Sequence, residues 1–216
     1  MQGYEDIFIR KDGTFFPVVC ALAPLEQRGA VVGSVLEFRD VSKVFYKADQ
    51  PVVALEGLDI AISEGEFVSV VGPSGCGKST LLNLAAGLGP AAKGTVVYRG
   101  QPVQKINTAV GYITQHDNLL PWATVRKNVT MGLKIRGVPQ AEREERLRHY
   151  MEVTGLKGFE NHFPAELSGG MRKRCSLART LIYSPEMVLM DEPFSALDAH
   201  VKMIMHEELL RIWDEE

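Results

Sequence analysis

The sequence predicts an α/β fold organised around a glycine-rich loop. From residue 53 onward, short apolar segments with the spacing of strands alternate with segments of helical periodicity. A glycine-rich stretch at residues 72–79 joins a predicted strand to a predicted helix. A later apolar strand at residues 187–190 ends in two acidic residues, Asp191 and Glu192. Open α/β sheets bind their ligands at the carboxyl ends of strands, so this acidic pair lies where a ligand is expected.

Local periodicity and helix-ending residues define the individual elements. Leu147, Tyr150 and Met151 fall on one face of the segment 140–153 and predict an amphipathic helix there. Glycine and proline end the helices, as Pro185 does near residue 184. The predicted strands lie at residues 36–45, 58–62, 67–71, 95–98, 110–114 and 187–190, and the predicted helices at 79–86, 140–153, 168–184 and 199–213.

Composition indicates one ordinary globular core. The chain has 216 residues, 45% hydrophobic and 24% charged, and a domain of this size buries about 70% of its unfolded surface. The net charge is only -3, and the basic cluster at residues 172–174 is short. We therefore expect no nucleic acid partner.

Cysteine content and hydropathy bear on location. Cys20, Cys76 and Cys175 form an odd, sparse set without CxxC spacing, which favours free thiols in a reducing compartment. No stretch approaches the roughly 20 apolar residues that span a bilayer, and the amino terminus lacks the apolar core of a signal peptide. We expect a cytoplasmic location, with any membrane role peripheral.

The first forty residues predict a small antiparallel meander with strands at 7–10, 14–22 and 30–38. The segments RKDGTFFPV at 10–18, APL at 23–25 and GSVLEFRDV at 33–41 resemble the last three strands of a PAS sensor domain. Residues 36–45 also predict the first strand of the domain that follows. Alternatively, residues 1–33 add strands to a sheet edge. We predict a PAS-like β fragment over 1–35 and a second domain over 36–216.

The stretch at residues 72–79 matches the pattern GxxxxGK[ST] between a strand and a helix. Its glycines let backbone N–H groups turn inward around an anion, and the following helix adds its positive end. Lys78 can bridge the β- and γ-phosphates, Ser79 can bind Mg²⁺ through its hydroxyl, and Thr80 can contact a phosphate nearer the ribose. The residues predicted to hold ATP here are Gly72, Pro73, Ser74, Gly75, Cys76, Gly77, Lys78, Ser79 and Thr80.

The two acidic residues after the strand at 187–190 are expected to have different roles. Asp191 is predicted to hold Mg²⁺ through its water shell, and Glu192 to orient the attacking water and accept its proton. The alternative is a strand-ending turn with two solvated acids. The phosphate loop upstream favours the catalytic interpretation.

The pentapeptide LSGGM at 167–171 opens a predicted helix. Taken alone, Ser168 is a helix N-cap and the two glycines a flexible entry. Between a phosphate loop and an Asp-Glu strand, it resembles the signature of ABC-type ATPases. The resemblance implies a P-loop NTPase with a RecA-like core, an antiparallel β subdomain and a helical subdomain, preceded by the short antiparallel β segment. It also implies that Ser168, Gly169 and Gly170 engage the γ-phosphate of ATP held by a second copy.

The same resemblance assigns further residues. Gln115 matches the Q-loop glutamine, which joins Mg²⁺ and the attacking water to the coupling surface. Asp198 ends a segment, SALD at 195–198, that matches the D-loop, although the segment could also be a helix cap. Phe45 is the expected aromatic stacking on adenine, with Tyr46 as the competitor. Either aromatic could instead be a core residue of an edge strand.

Several segments resemble the nitrate/sulfonate/taurine importer branch of this family over residues 36–213. They are LLPWATV at 119–125 with Asn128 and Val129, HFPAE at 162–166 and DEPFSALD at 191–198. The branch usually carries Arg-Gln-Arg after the signature. Here Lys173 replaces the glutamine, and we expect it to add charge near the partner's nucleotide. The family also continues into a strand with a switch histidine, so we expect a truncated chain that hydrolyses ATP poorly.

The resemblance implies the ATP-binding and hydrolysing subunit of an importer for nitrate, sulfonate, taurine or a similar small solute. Its expected partners are a second copy, transmembrane permease subunits contacted through residues 115–163 and, indirectly, a periplasmic or extracellular solute-binding protein. The expected location is the inner face of the cell membrane. The alternative is a PAS-linked regulatory module with little or no ATPase activity. Soluble ABC proteins of repair or translation are disfavoured by the LLPW segment.

Overall fold

The computed structural model describes residues 19–20, 34–47, 50–64, 66 and 68–191. In chain order its elements are β1 (Val19–Cys20), β2 (Ser34–Lys47), β3 (Gln50–Ser63), β4 (Val68–Ser69), α1 (Lys78–Ala85), β5 (Lys93–Tyr98), β6 (Gln101–Pro102), β7 (Val110–Ile113), α2 (Val125–Ile135), α3 (Gln140–Val153), a 3-10 helix (Pro164–Glu166), α4 (Gly169–Leu181) and β8 (Met187–Met190). The described residues fall into two compact units, the first formed by those up to Val110 together with Met187–Asp191 and the second by Gly111–Glu186.

The first unit contains a four-stranded antiparallel sheet in the order β3-β2-β5-β6. Alternation along β2 places Leu36 and Phe38 in the core, while Arg39 is exposed. Helix α1 adds Leu82 and Leu84 to the same core, and each of these residues is 3% exposed. A separate pair, β1 and β4, is also antiparallel. The sheet and α1 together frame the loop at residues 72–77.

The described part of the second unit is mainly helical. Val125, Val129 and Leu133 recur every fourth residue along α2 and are buried, and α2 packs against α4. The Thr124 hydroxyl caps α2 by accepting from the Lys127 N–H. In α3 the Tyr150 hydroxyl donates to the Leu181 carbonyl oxygen at 3.0 Å, which ties α3 to the end of α4.

The elements agree with the sequence in part. Helix α3 and strand β8 lie where they were predicted, and α1 and the start of α4 lie within one residue of prediction. Strand β2 runs without a break through the described part of two predicted strands, and β3 begins at Gln50 rather than at residue 58 because Phe45 pairs with Val52 in a long hairpin. Strand β4 ends at Ser69 rather than at the predicted residue 71. Helix α2 was not predicted.

Other predictions fall elsewhere in the chain. The strand at 7–10, most of the strand at 14–22, the helix at 199–213, Glu192 and Asp198 lie outside the described residues. The PAS resemblance and the domain boundary at residue 35 therefore stay predictions. Within the part of the chain that the structure describes, no helix has the length and apolar character needed to cross a bilayer.

The side chain of Asn128 hydrogen-bonds to the segment before α2 and so attaches that segment to the helix. Its amide nitrogen donates to the carbonyl oxygens of Ala123, Thr124 and Leu120 at 2.9, 3.1 and 3.2 Å, and its amide oxygen accepts from the Leu120 N–H at 2.8 Å. The side chain is fully buried. Since a buried carbonyl that loses its donor is costly, this one side chain holds residues 120–124 in place.

We expect Asn128→Ala to lower the free energy of unfolding by about 1–3 kcal/mol, because it removes the hydrogen-bond partner of buried backbone groups. Asn128→Asp should cost more, since it loses the donors and points a carboxylate at carbonyl oxygens. Urea unfolding measures both. Thr130→Ala is the matched control on the same helix, because the Thr130 hydroxyl only adds a second donor to the Arg126 carbonyl oxygen. Equal losses for Asn128→Ala and Thr130→Ala would contradict this account.

Candidate nucleotide-binding site

The phosphate loop leads into α1 through Gly77, which occupies the N-cap position with a φ of 104°. Glycine has no side chain that could cap the helix, and the first turn of α1 contains no acidic residue. The first N–H groups of α1 therefore lack the side-chain acceptor that usually satisfies them. Together with the positive end of the helix dipole, they provide a site suited to an anion.

Two glycines of the loop have a left-handed backbone. Gly75 has a φ of 80° and open space where a Cβ would stand. At Gly77 a Cβ would lie 2.4 Å from the carbonyl oxygen of Ala54 in β3. Both positions require glycine for their conformation, and Gly77 also requires it because the backbone of β3 lies against the loop.

Lys78 holds the loop from within. Only 7% of this residue is exposed, and its ammonium group donates to the carbonyl oxygens of Gly72 and Pro73 at 2.7 and 2.9 Å. Its nitrogen also lies 3.9 Å from the sulfur of Cys76. A phosphate oxygen is a stronger acceptor for an ammonium than a neutral carbonyl. The buried charge is therefore poised to turn toward a phosphate bound in the loop.

An apolar cavity of about 200 Å³ lies behind the loop. Besides the loop itself, it is lined by side chains of β3, of the segment entering the loop and of α1, namely Leu55, Leu58, Ile60, Val70, Val71 and Leu81. Apart from Lys78 of α1, which also lines the cavity, these side chains are hydrocarbon and cannot solvate a phosphate. The cavity therefore does not suit a phosphate, and phosphate binding by the N–H groups of the loop stays a prediction.

The predicted Mg²⁺ ligands in the first unit have suitable chemistry. Ser79 is exposed on the first turn of α1, and Asp191 is half-exposed directly after β8. A hydroxyl and a carboxylate oxygen are hard ligands of the kind Mg²⁺ prefers when phosphates and waters complete its shell. Among the described residues, no group of three or more His, Cys, Asp or Glu side chains is placed to hold a metal without a nucleotide.

Both aromatic candidates for adenine stacking are exposed. Phe45 is 49% exposed and Tyr46 77% exposed, at the end of β2 where the strand pairs with Val52 and Pro51. The alternative that either is a core residue is therefore wrong. The Lys43 ammonium lies 5.3 Å from the centre of the Phe45 ring. The choice between Phe45 and Tyr46 stays a prediction.

In the second unit, Ser168 is the N-cap of α4. Its hydroxyl accepts from the Met171 N–H at 3.2 Å, and Gly169 is exposed beside it. The N-cap interpretation is confirmed. Contact of Ser168, Gly169 and Gly170 with a partner's γ-phosphate stays a prediction.

Gln115 lies in a loop that follows β7, and it is exposed. Lys173 of α4 reaches this loop: it is 5% exposed, and its ammonium donates to the carbonyl oxygens of Thr114 and Gln115 at 2.7 and 3.1 Å. That Lys173 adds charge near the partner's nucleotide stays a prediction; its burial was not predicted. Its place in the helix could have indicated this, because Lys173 precedes the buried Leu177 by four residues and so shares its face.

Comparisons with known proteins point to a single family. A family model described as ABC transporter matches residues 55–195. The chain is 45% identical to the ABC transporter ATP-binding protein MJ0412 of Methanocaldococcus jannaschii, over 84% of this chain and 68% of that protein. It is 47% identical to the nitrate import ATP-binding protein NrtD of Synechocystis sp., over 82% and 67%. It is 38% identical to the aliphatic sulfonates import ATP-binding protein SsuB of Bacillus anthracis, over 83% and 70%.

The chain thus spans about two thirds of the length of these relatives. Among solved structures, the fold is similar to the ATP-binding cassette MJ0796, seen as a dimer in a post-hydrolysis state with ADP and phosphate. The TM-score is 0.73 and the identity 29%, over 83% of each chain.

The two left-handed glycines should respond differently to substitution. We expect Gly75→Ala to lower the free energy of unfolding by about 1–2 kcal/mol, the cost of a left-handed backbone for a residue with a Cβ. Gly77→Ala should cost more, because its Cβ also meets the Ala54 carbonyl oxygen. Urea unfolding without nucleotide makes the comparison. A Gly77→Ala protein as stable as Gly75→Ala would refute the contact with β3.

The two described cysteines should differ in reactivity. Cys76 is exposed in the loop, whereas burial raises the pKa of the Cys175 thiol to about 12. In a Cys20→Ser background, we expect iodoacetamide to alkylate Cys76 and to leave Cys175 untouched until the protein unfolds. ATP with Mg²⁺ should slow alkylation of Cys76, as measured by peptide mass spectrometry. Labelling of Cys175 at a similar rate, or no effect of ATP on Cys76, would contradict the site.

Proposed function

Because the chain belongs to the ABC transporter family of ATP-binding proteins, we propose that it powers the import of a small solute such as nitrate, a sulfonate or taurine. The main observation in support of nucleotide binding is that α1 begins without a side-chain cap and has the buried ammonium of Lys78 in its first turn. A loop of this chemistry suits a triphosphate. The family consists of ATPases, and hydrolysis is the energy source for transport.

We assign the roles as follows. Lys78 and the loop N–H groups hold the β- and γ-phosphates, and Phe45 stacks on adenine. Ser79, Asp191 and Gln115 complete the Mg²⁺ shell, since hydroxyl, carboxylate and amide oxygens suit that ion. Glu192 takes the proton of the attacking water, which is the remaining requirement of hydrolysis. Mg²⁺ supplies positive charge that stabilises the transferring phosphoryl group.

A second copy completes the site in this proposal. The start of α4 presents a serine hydroxyl and exposed glycine backbone, which suits one face of a phosphate. The dimer of the related cassette with ADP and phosphate supports a two-copy arrangement. Asp198 then meets the partner's phosphate loop. Transmembrane permease subunits bind through residues 115–163 at the inner face of the cell membrane, and a periplasmic or extracellular solute-binding protein delivers the solute.

The choice of solute rests on relatives. Two of them carry names of nitrate and aliphatic sulfonate importers, and the sequence segments around Trp122 and Phe163 resemble that branch. The regulatory alternative depends on residues 1–33, which lie largely outside the described part of the chain. The transport proposal therefore has the better support.

We expect Lys78→Ala to weaken ATP binding by about 10- to 150-fold, the loss of one charge-assisted hydrogen bond of about 1.5–3 kcal/mol. Glu192→Gln should retain binding but lose about 100-fold or more of the hydrolysis rate. Fluorescent nucleotide titration and phosphate release measure the two effects in the purified full-length protein with Mg²⁺. Unchanged hydrolysis in Glu192→Gln would refute its role as the base.

The same substitutions in the chromosomal gene test the transport part. Both should abolish growth on the imported solute, supplied as nitrate for nitrogen or as an alkanesulfonate or taurine for sulfur, while growth on ammonium and sulfate continues. Normal growth on all three solutes would refute the choice of solute, even if the protein hydrolyses ATP.

A further inference from the structure

Three cations of α4 hold the loop that carries Gln115. We define the Gln115 loop as residues 114–118. Lys173 donates to its beginning, at the carbonyl oxygens of Thr114 and Gln115. Arg179 donates to its end, at the carbonyl oxygens of Asn118 and Asp117 at 2.7 and 2.9 Å, and Arg172 binds the Asp117 carboxylate at 3.1 Å. One helix therefore fixes both ends of the loop.

The loop is also closed by its own side chains. The Thr114 hydroxyl donates to the His116 carbonyl oxygen at 2.8 Å, and the Asn118 amide donates to the Thr114 hydroxyl at 2.7 Å. Asn118 has a φ of 49°, a left-handed conformation that turns the chain back. A loop with such internal bonds moves as one piece, so its position depends on its attachments to α4.

Lys173 differs from the two arginines in where it binds. Of these three cations, Lys173 is the one that donates to Gln115 itself. Lys173 is also buried, whereas Arg172 is only partly buried. Burying an ammonium is costly unless carbonyl oxygens replace its water. Once the amine is removed, the beginning of the loop loses two bonds while its end stays attached. Gln115 would then lose the hydrogen bond that ties its backbone to α4.

We propose that Lys173 is a positioning residue that fixes Gln115 relative to α4, so that the helix tip at Ser168 and the Gln115 side chain move as one body. The inference rests on the proposed function, in which Gln115 contributes to the Mg²⁺ shell and the attacking water. Nucleotide binding depends mainly on the phosphate loop, which lies in the other unit. Loss of Lys173 should therefore affect the rate of hydrolysis far more than the affinity for ATP.

The test compares three substitutions in the full-length protein. Lys173→Met keeps the length of the side chain and removes the donors. Lys173→Gln restores two N–H donors on a shorter side chain. Arg174→Met is the matched control on the same helix, because Arg174 also donates to two carbonyl oxygens, but these belong to Thr154 and Gly155 in a different loop.

We expect Lys173→Met to lower kcat by about 10- to 100-fold, the size of effect that a misplacement of about 1 Å produces. Its affinity for ATP should change by less than about twofold, because the phosphate loop is intact. Lys173→Gln should recover part of kcat, and Arg174→Met should keep it. Equal falls in kcat for Lys173→Met and Arg174→Met, or parallel falls in affinity and kcat, would overturn the inference.

Amide hydrogen exchange separates this inference from the proposed function. In nucleotide-free protein, Lys173→Met should speed exchange at residues 114–118, and Arg174→Met should not. If the unsubstituted protein hydrolyses no ATP, the proposed function fails while the exchange result still decides whether Lys173 positions the loop. Unchanged exchange in Lys173→Met would overturn the inference even in an active enzyme.

Discussion

The approach of β3 to the phosphate loop is the constraint on which the nucleotide site depends. Gly77 passes so close to the Ala54 carbonyl oxygen that no side chain fits between them. This contact sets where α1 begins and leaves its first N–H groups without a side-chain cap. The same strand pairs Val52 with Phe45, two residues before Ala54. Because a strand rises about 3.3 Å per residue, the residue of β3 that pairs with Phe45 and the residue that contacts the phosphate loop are about 7 Å apart along the strand.

Charge in α4 serves a different purpose from charge in α1. The ammonium of Lys78 stands ready for an anion, whereas Arg172, Lys173, Arg174 and Arg179 donate to backbone carbonyls or to a carboxylate within the second unit. Burial lowers the pKa of Arg179, which is the cost of placing a cation among packed residues. A run of basic residues thus organises loops that would otherwise expose unsatisfied carbonyl oxygens.

The sequence predicted those features that depend on local chemistry. The phosphate loop, α1, α3, β8 and the N-cap at Ser168 follow from glycine spacing, helical periodicity and capping. The missed features depend on packing. Helix α2 contains Val125, Val129 and Gly132, which are weak helix formers, and it forms because a four-residue apolar spacing packs on α4. The role of Lys173 depends on which loop folds over α4, and no local pattern specifies that.

The two helix tips have different capacities for an anion, and this suggests an order of assembly for the proposed dimer. The tip of α1 has no side-chain cap, and a buried ammonium stands beside it. At α4, the Ser168 hydroxyl already accepts from the Met171 N–H. A hydroxyl that accepts one bond can still donate its own proton, so Ser168 can bind a phosphate oxygen without giving up its cap. Such a site adds a single hydroxyl and backbone N–H groups, because the cation at this tip, Arg172, already donates to the Leu167 carbonyl oxygen and to the Asp117 carboxylate. It therefore suits a phosphate that another phosphate loop already holds, and nucleotide binding would precede pairing of the two copies.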